Sequence, residues 1–119
     1  MNNWLFVLAF IAALGSALMA GLFFVFSNFA MTAFRKLPPA NGIAAMQSIN
    51  IWILNPGFAA VLFGTSAISV LLALIALFNQ AQAWSVPLIA GSLCYLIGAL
   101  LVTIIFNVPL NNRLARVAP

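Results

Sequence analysis

The sequence contains no aspartate, no glutamate and no histidine. Its only charged side chains are Arg35, Lys36, Arg113 and Arg116. About a quarter of the residues of an ordinary soluble domain are charged, because water must be met at the surface. Here the hydrophobic share is 66% and the mean hydropathy is +1.24, so lipid must be the solvent for most of the chain. The same absences remove chemistry. There is no carboxylate pair for glycoside or peptide hydrolysis and no Ser–His–Asp set. Zinc and iron need His, Cys or carboxylate ligands, and one cysteine does not suffice, so no metal site and no cofactor are expected. That cysteine, Cys94, excludes an intrachain disulfide. Its place in an apolar run predicts a small buried hydrophobe. Four cations in an apolar chain form no basic stripe, so nucleic acid is not an expected partner. The glycines match neither a dinucleotide fingerprint nor a phosphate loop.

What is present is a set of long apolar runs. Trp4 to Phe34 carries no charge and no proline. It exceeds the roughly 20 residues that cross a bilayer core, so this helix must tilt or protrude. It is also far longer than a signal-peptide core and lacks a basic leader, so a cleaved signal is not expected. Arg35-Lys36 and then Pro38-Pro39 close it. Residues 57–78 form a second span after Asn55-Pro56, and residues 84–106 a third, ending at Asn107-Val108-Pro109. Trp4, Trp52 and Trp84 lie near run ends, as interfacial anchors do.

Residues 40–54 differ in kind. Ile43, Met46, Ile49 and Ile53 alternate with Gln47 and Asn50 at helical spacing, which predicts an amphipathic helix begun by Asn41 or the proline pair. It is expected to lie at the interface or to lead into the second span. The fold class expected is therefore all-α, one transmembrane helical bundle over residues 1–119 with three spans and one amphipathic connecting helix.

Three spans place all four cations, Arg35, Lys36, Arg113 and Arg116, on one side. The positive-inside rule makes that side cytoplasmic. The expectation is an integral protein of a bacterial inner (plasma) membrane, N-terminus outside and C-terminus inside. Lipid gives no hydrophobic drive between helices, so small residues should form the seams. The candidates are Ala12, Ser16 and Ala20 with Ala13, Ala17 and Gly21, then Ala60 and Gly64, then Gly91 and Gly98.

Ser and Thr can satisfy themselves on their own helix backbone, so Ser27, Thr32, Thr65, Ser66, Ser69, Ser92 and Thr103 say little singly. An amide cannot be satisfied by hydrocarbon. Asn28 must therefore meet a partner helix, a water pocket or the interface. Together with Gln47, Asn50, Asn107 and Asn111 it makes a candidate neutral, hydrogen-bonding ligand pocket towards the basic side. Helix capping is the alternative role for Asn55, Asn107, Asn111 and Asn112. No catalytic residue is assignable from these types.

One resemblance adds to this. Gly21-Leu22-Phe23-Phe24-Val25-Phe26-Ser27-Asn28-Phe29, Gly42 to Asn50, Asn55-Pro56-Gly57-Phe58, Phe63-Gly64-Thr65 and Phe106-Asn107-Val108-Pro109-Leu110-Asn111-Asn112 occur in order. The chain resembles the anthrone-oxygenase-like integral membrane family, largely a group of unassigned function. The resemblance implies, for some members, oxidation of an anthrone to an anthraquinone by molecular oxygen without an evident metal or flavin. It also implies a fourth hydrophobic helix with a Trp-Asn-His-Val-Arg-Thr-like motif, which this sequence, ending at Pro119, does not contain. The expectation is a truncated or divergent member. Its leading function is that of a small polytopic membrane protein, without catalysis of its own in this form. It would bind a small hydrophobic or aromatic ligand or self-associate as a homo-oligomer. A cofactor-independent anthrone-type oxygenase is the alternative, and a transporter or channel component comes third.

Overall fold

Prolines and asparagines set the helix boundaries. In the computed structural model, which describes residues 1–119, four helices follow one another and there are no strands. Helix α1 runs Asn3–Lys36 and stops where Leu37 turns extended before Pro38. Helix α2, Pro39–Trp52, begins with Pro39 in its first turn, where the missing N–H has no partner to lose. Helix α3, Pro56–Leu77, is capped by Asn55, whose side chain accepts from the Phe58 N–H at 2.9 Å. The same amide donates to the Trp52 carbonyl at 3.0 Å, so Asn55 ties the end of α2 to the start of α3. Helix α4 is Ser85–Ala115. The capping role expected for Asn55 is the one it fills.

Helices α1, α3 and α4, of 34, 22 and 31 residues, are long and apolar enough to cross a membrane. The whole is a rod of 57 × 22 × 21 Å, longer than the roughly 40–45 Å of a bilayer with its head groups. Helix α3 packs between α1 and α4 along the uncharged end. Helix α2 packs against the ends of α1 and α4 and leads into α3, so α2 and α3 together run beside the other two. Trp4 and Trp84 lie near the uncharged end; Trp52 stands exposed at the α2–α3 break.

The interior is a thin seam. Fully buried positions are Leu5, Ala12, Gly15 and Met19 on α1. On α3 they include Leu62, Thr65, Ser69, Leu72 and Ala76; on α4 they are Ser85, Ser92, Tyr95 and Ala99. The spacing alternates three and four, as in a left-handed helical seam. Gly15 is the tightest point, since a Cβ there would collide with the Thr65 hydroxyl. Tyr95 donates to the Leu62 carbonyl at 2.9 Å and rivets α4 to α3, while Ser85 donates to the Ala76 carbonyl at 2.8 Å and closes the α3–α4 turn.

Three sequence expectations need correction. The seams are not carried by Gly21, Gly64, Gly91 and Gly98, which have nothing within 4 Å of an added Cβ. Ala13, Ala17, Ala20 and Ala60 also face outward. Each helix buries one stripe only, and on α3 and α4 Ser, Thr, Leu and Tyr occupy it. Cys94 is exposed rather than buried, because the inward positions of α4 are 92, 95 and 99. Finally, α4 does not end at Asn107-Val108-Pro109 but continues to Ala115. A proline clashes with the carbonyl four residues back and lacks a donor. A π turn over Thr103–Asn107, in which the Val108 N–H reaches the Thr103 carbonyl, stands just before Pro109 and takes up that misfit.

Candidate polar site in the basic half

Three π turns occur in the chain, Phe26–Ala30 on α1 and Leu96–Leu101 and Thr103–Asn107 on α4. Such turns concentrate at functional sites because they re-aim side chains. On α4 their effect is visible in burial. Tyr95, Ala99, Thr103, Asn107 and Asn111 recur every four residues, and all five are buried or half-buried. In a regular α-helix a four-residue step drifts by about 40° around the axis, so five such positions would wind off one face. The wider turns keep Thr103, Asn107 and Asn111 on the inner side.

Helix α2 meets α4 along its last segment, Val108–Ala115. Ile43, Met46, Ile49 and Ile53 are half-buried, as the amphipathic pattern requires. Gln47 and Asn50 are half-buried as well, so the polar stripe turns inward instead of facing out. The reason lies partly in the bonds of Gln47. Its Nε2 donates to the Leu114 carbonyl at 2.9 Å and to the Val117 carbonyl at 2.7 Å, at the end of α4 and just beyond it. Gln47 is thus a clamp between α2 and α4.

Asn50 is different. Its Nδ2 is buried and has no hydrogen-bond partner, and the Thr103 Oγ1 shares that condition. These two are the only such side-chain atoms in the protein. A buried donor without a partner costs about 1–3 kcal/mol, so a bound oxygen or nitrogen atom would be strongly preferred there. Four of the five amides singled out from the sequence, Gln47, Asn50, Asn107 and Asn111, are therefore turned into the basic half of the bundle. The fifth, Asn28, lies in the α1 π turn and is exposed, so the structure does not bring it to the others. Thr103 belongs with the inner set, and its signal was its place four residues before Asn107 and eight before Asn111.

The four cations gather at this end. Arg35 and Lys36 lie in the last turn of α1, Arg113 in the last turn of α4, and Arg116 just beyond. Arg35 and Leu114 line one groove, which shows that the two helix ends are neighbours. Of the residue types that commonly hold a metal by side chain, the chain has only Cys94, which faces outward.

No curated protein and no solved structure matches the chain. The family pattern described as anthrone oxygenase matches residues 52–119, which takes in α3, all of α4 and, within it, Tyr95, Thr103, Asn107 and Asn111. With more than half of its length so matched, the chain belongs to the anthrone oxygenase family.

Proposed function

We propose that this protein sits in a bacterial inner (plasma) membrane with its basic end in the cytoplasm. There it binds a flat aromatic molecule bearing phenolic or carbonyl oxygens between α2 and α4. The observation that supports the reading is that Asn50 Nδ2 on α2 and Thr103 Oγ1 on α4 are the two buried side-chain polar atoms without a partner, on helices that also carry the half-buried amides Asn107 and Asn111. A neutral donor set in an apolar wall suits an uncharged substrate that becomes an oxyanion on reaction.

The reaction follows from the substrate class the family description names. An anthrone carries a CH2 group acidified by the ring carbonyl. Loss of one of its protons to water gives an enolate, whose oxygen the Asn50 and Thr103 donors would hold. The enolate carbon takes up O2 and a proton to form a hydroperoxide. Loss of water from that group leaves a second carbonyl, so anthrone and O2 become anthraquinone and water. The chain has no Asp, Glu or His to act as base, so its role is binding and stabilisation of the anion. Purified protein in vesicles, given an anthrone, should consume one O2 per quinone formed. Asn50→Leu should abolish the excess over the spontaneous rate. An unchanged rate would remove this reading.

A second reading, self-association, is favoured by the outer surface. A groove of about 480 Å³ opens between α1 and α4, lined on α1 by Ala9, Ala13, Ala17 and Ala20 and on α4 by Gly91. Small residues let a helix of a second copy approach closely in lipid. Inter-copy crosslinking of Ala17→Cys in native membranes would support it, and a monomer at all detergent ratios would end it.

A further inference from the structure

The chain has four cationic side chains and no acidic one, so no side-chain ion pair can form within it. All four lie at one end of the rod. Like charges held together in this way repel, and anions from outside relieve that repulsion.

At the same end a groove of about 350 Å³ opens among α1, α2 and the end of α4. Its walls include Met31, Phe34, Ile43, Met46 and Leu114, and Arg35 is its one charged residue. Gly42 lines it where α2 crosses α1; an added Cβ would lie 2.6 Å from the Phe34 carbonyl oxygen, so only glycine lets the helices meet there. Arg35 is exposed, and one Nη2 donates to the Thr32 hydroxyl at 3.3 Å, folding the guanidinium back along α1. A guanidinium has five N–H donors in a fork that fits a phosphate, so most remain free. The apolar exterior continues to this level, with Leu37 and Leu110 exposed beside the cations.

We propose that this groove is a binding site for an anionic phospholipid, with the phosphate on Arg35 and an acyl chain along Met31, Phe34 and Met46. The pairing of a cation at the rim with an apolar slot excludes a free anion, which would leave the slot unfilled, and disfavours a zwitterionic lipid, whose ammonium group meets three further cations nearby. The site does not depend on the oxidation proposed above.

The test uses the full chain in mild detergent, with phosphatidylglycerol, phosphatidylcholine and inorganic phosphate as probes. Phosphatidylglycerol should raise the thermal midpoint and be retained in native mass spectra; phosphatidylcholine and phosphate should do neither. Arg35→Gln should weaken phosphatidylglycerol binding roughly fivefold, as expected for one surface cation near an anionic headgroup. Met46→Trp should fill the slot and lower retention with every charge in place. Arg113→Gln removes the same charge outside the groove and should weaken retention by much less than Arg35→Gln does. Equal weakening by Arg35→Gln and Arg113→Gln would mean diffuse attraction and overturn the site. A shift reproduced by inorganic phosphate, or equal retention of the two lipids, would overturn it as well.

Discussion

The uncharged half and the basic half of this rod are both mostly apolar but differ in how they are packed. In the uncharged half the three long helices share a three-four seam, and Leu72 and Ala76 are 2% and 0% exposed. In the basic half no residue is fully buried: α2, the end of α1 and the end of α4 contribute none. Regular helix gives way to π turns at the junction on both α1 and α4. One half uses close packing to hold the bundle; the other keeps polar atoms unmatched and side chains re-aimed. Stability and ligand chemistry are therefore expected to separate along the axis.

Mutations can test that separation, beginning with the largest effect. Leu72→Ala should cost about 2–5 kcal/mol in reversible unfolding from detergent, because a fully buried side chain leaves a cavity. Ile49→Ala, half-buried in the basic half, should cost under about 1.5 kcal/mol; equal losses would erase the contrast. Next come the glycines. Gly15→Leu should cost about 1–3 kcal/mol by collision with Thr65. Gly64→Ala, with open space around it, should gain up to about 1 kcal/mol from helix propensity, read as a rise in thermal midpoint. Tyr95→Phe removes the bond to the Leu62 carbonyl and should cost about 0.5–1.5 kcal/mol. Smallest of all, Asn50→Leu and Thr103→Val should leave the midpoint unchanged or slightly raised, since each removes an unpartnered buried atom.

Helix number and type were legible because unbroken hydropathy and Pro-Pro or Asn-Pro punctuation are local signals. The seam was not. Small residues suggested one face of α1, but outward Ala13, Ala17 and Gly21 sit beside inward Ala12 and Gly15, and composition alone does not separate adjacent stripes. The three-four spacing of Leu62, Thr65, Ser69 and Leu72 was present and was masked by uniform hydrophobicity, which gives apolar side chains no preferred direction. The end of α4 was misplaced because Pro109 reads as a stop, and the π turn that accommodates it leaves no composition signal. For the site, the inward amides on α2 and α4 were legible as groups that hydrocarbon cannot satisfy. Asn28 carried the same chemical signal, yet its direction depends on a π turn. Gln47 proved to be a structural clamp, a role set by a partner 67 residues away that no local pattern reveals.

The most direct test compares oxygen uptake with unfolding in one set of variants. With an anthrone as substrate, the Asn50→Leu/Thr103→Val double variant should lose oxygen consumption while its thermal midpoint holds, and Gly15→Leu should lose stability first. If the double variant still oxidises the substrate at the full rate, or if its midpoint falls along with its activity, the division of labour between the two halves is wrong.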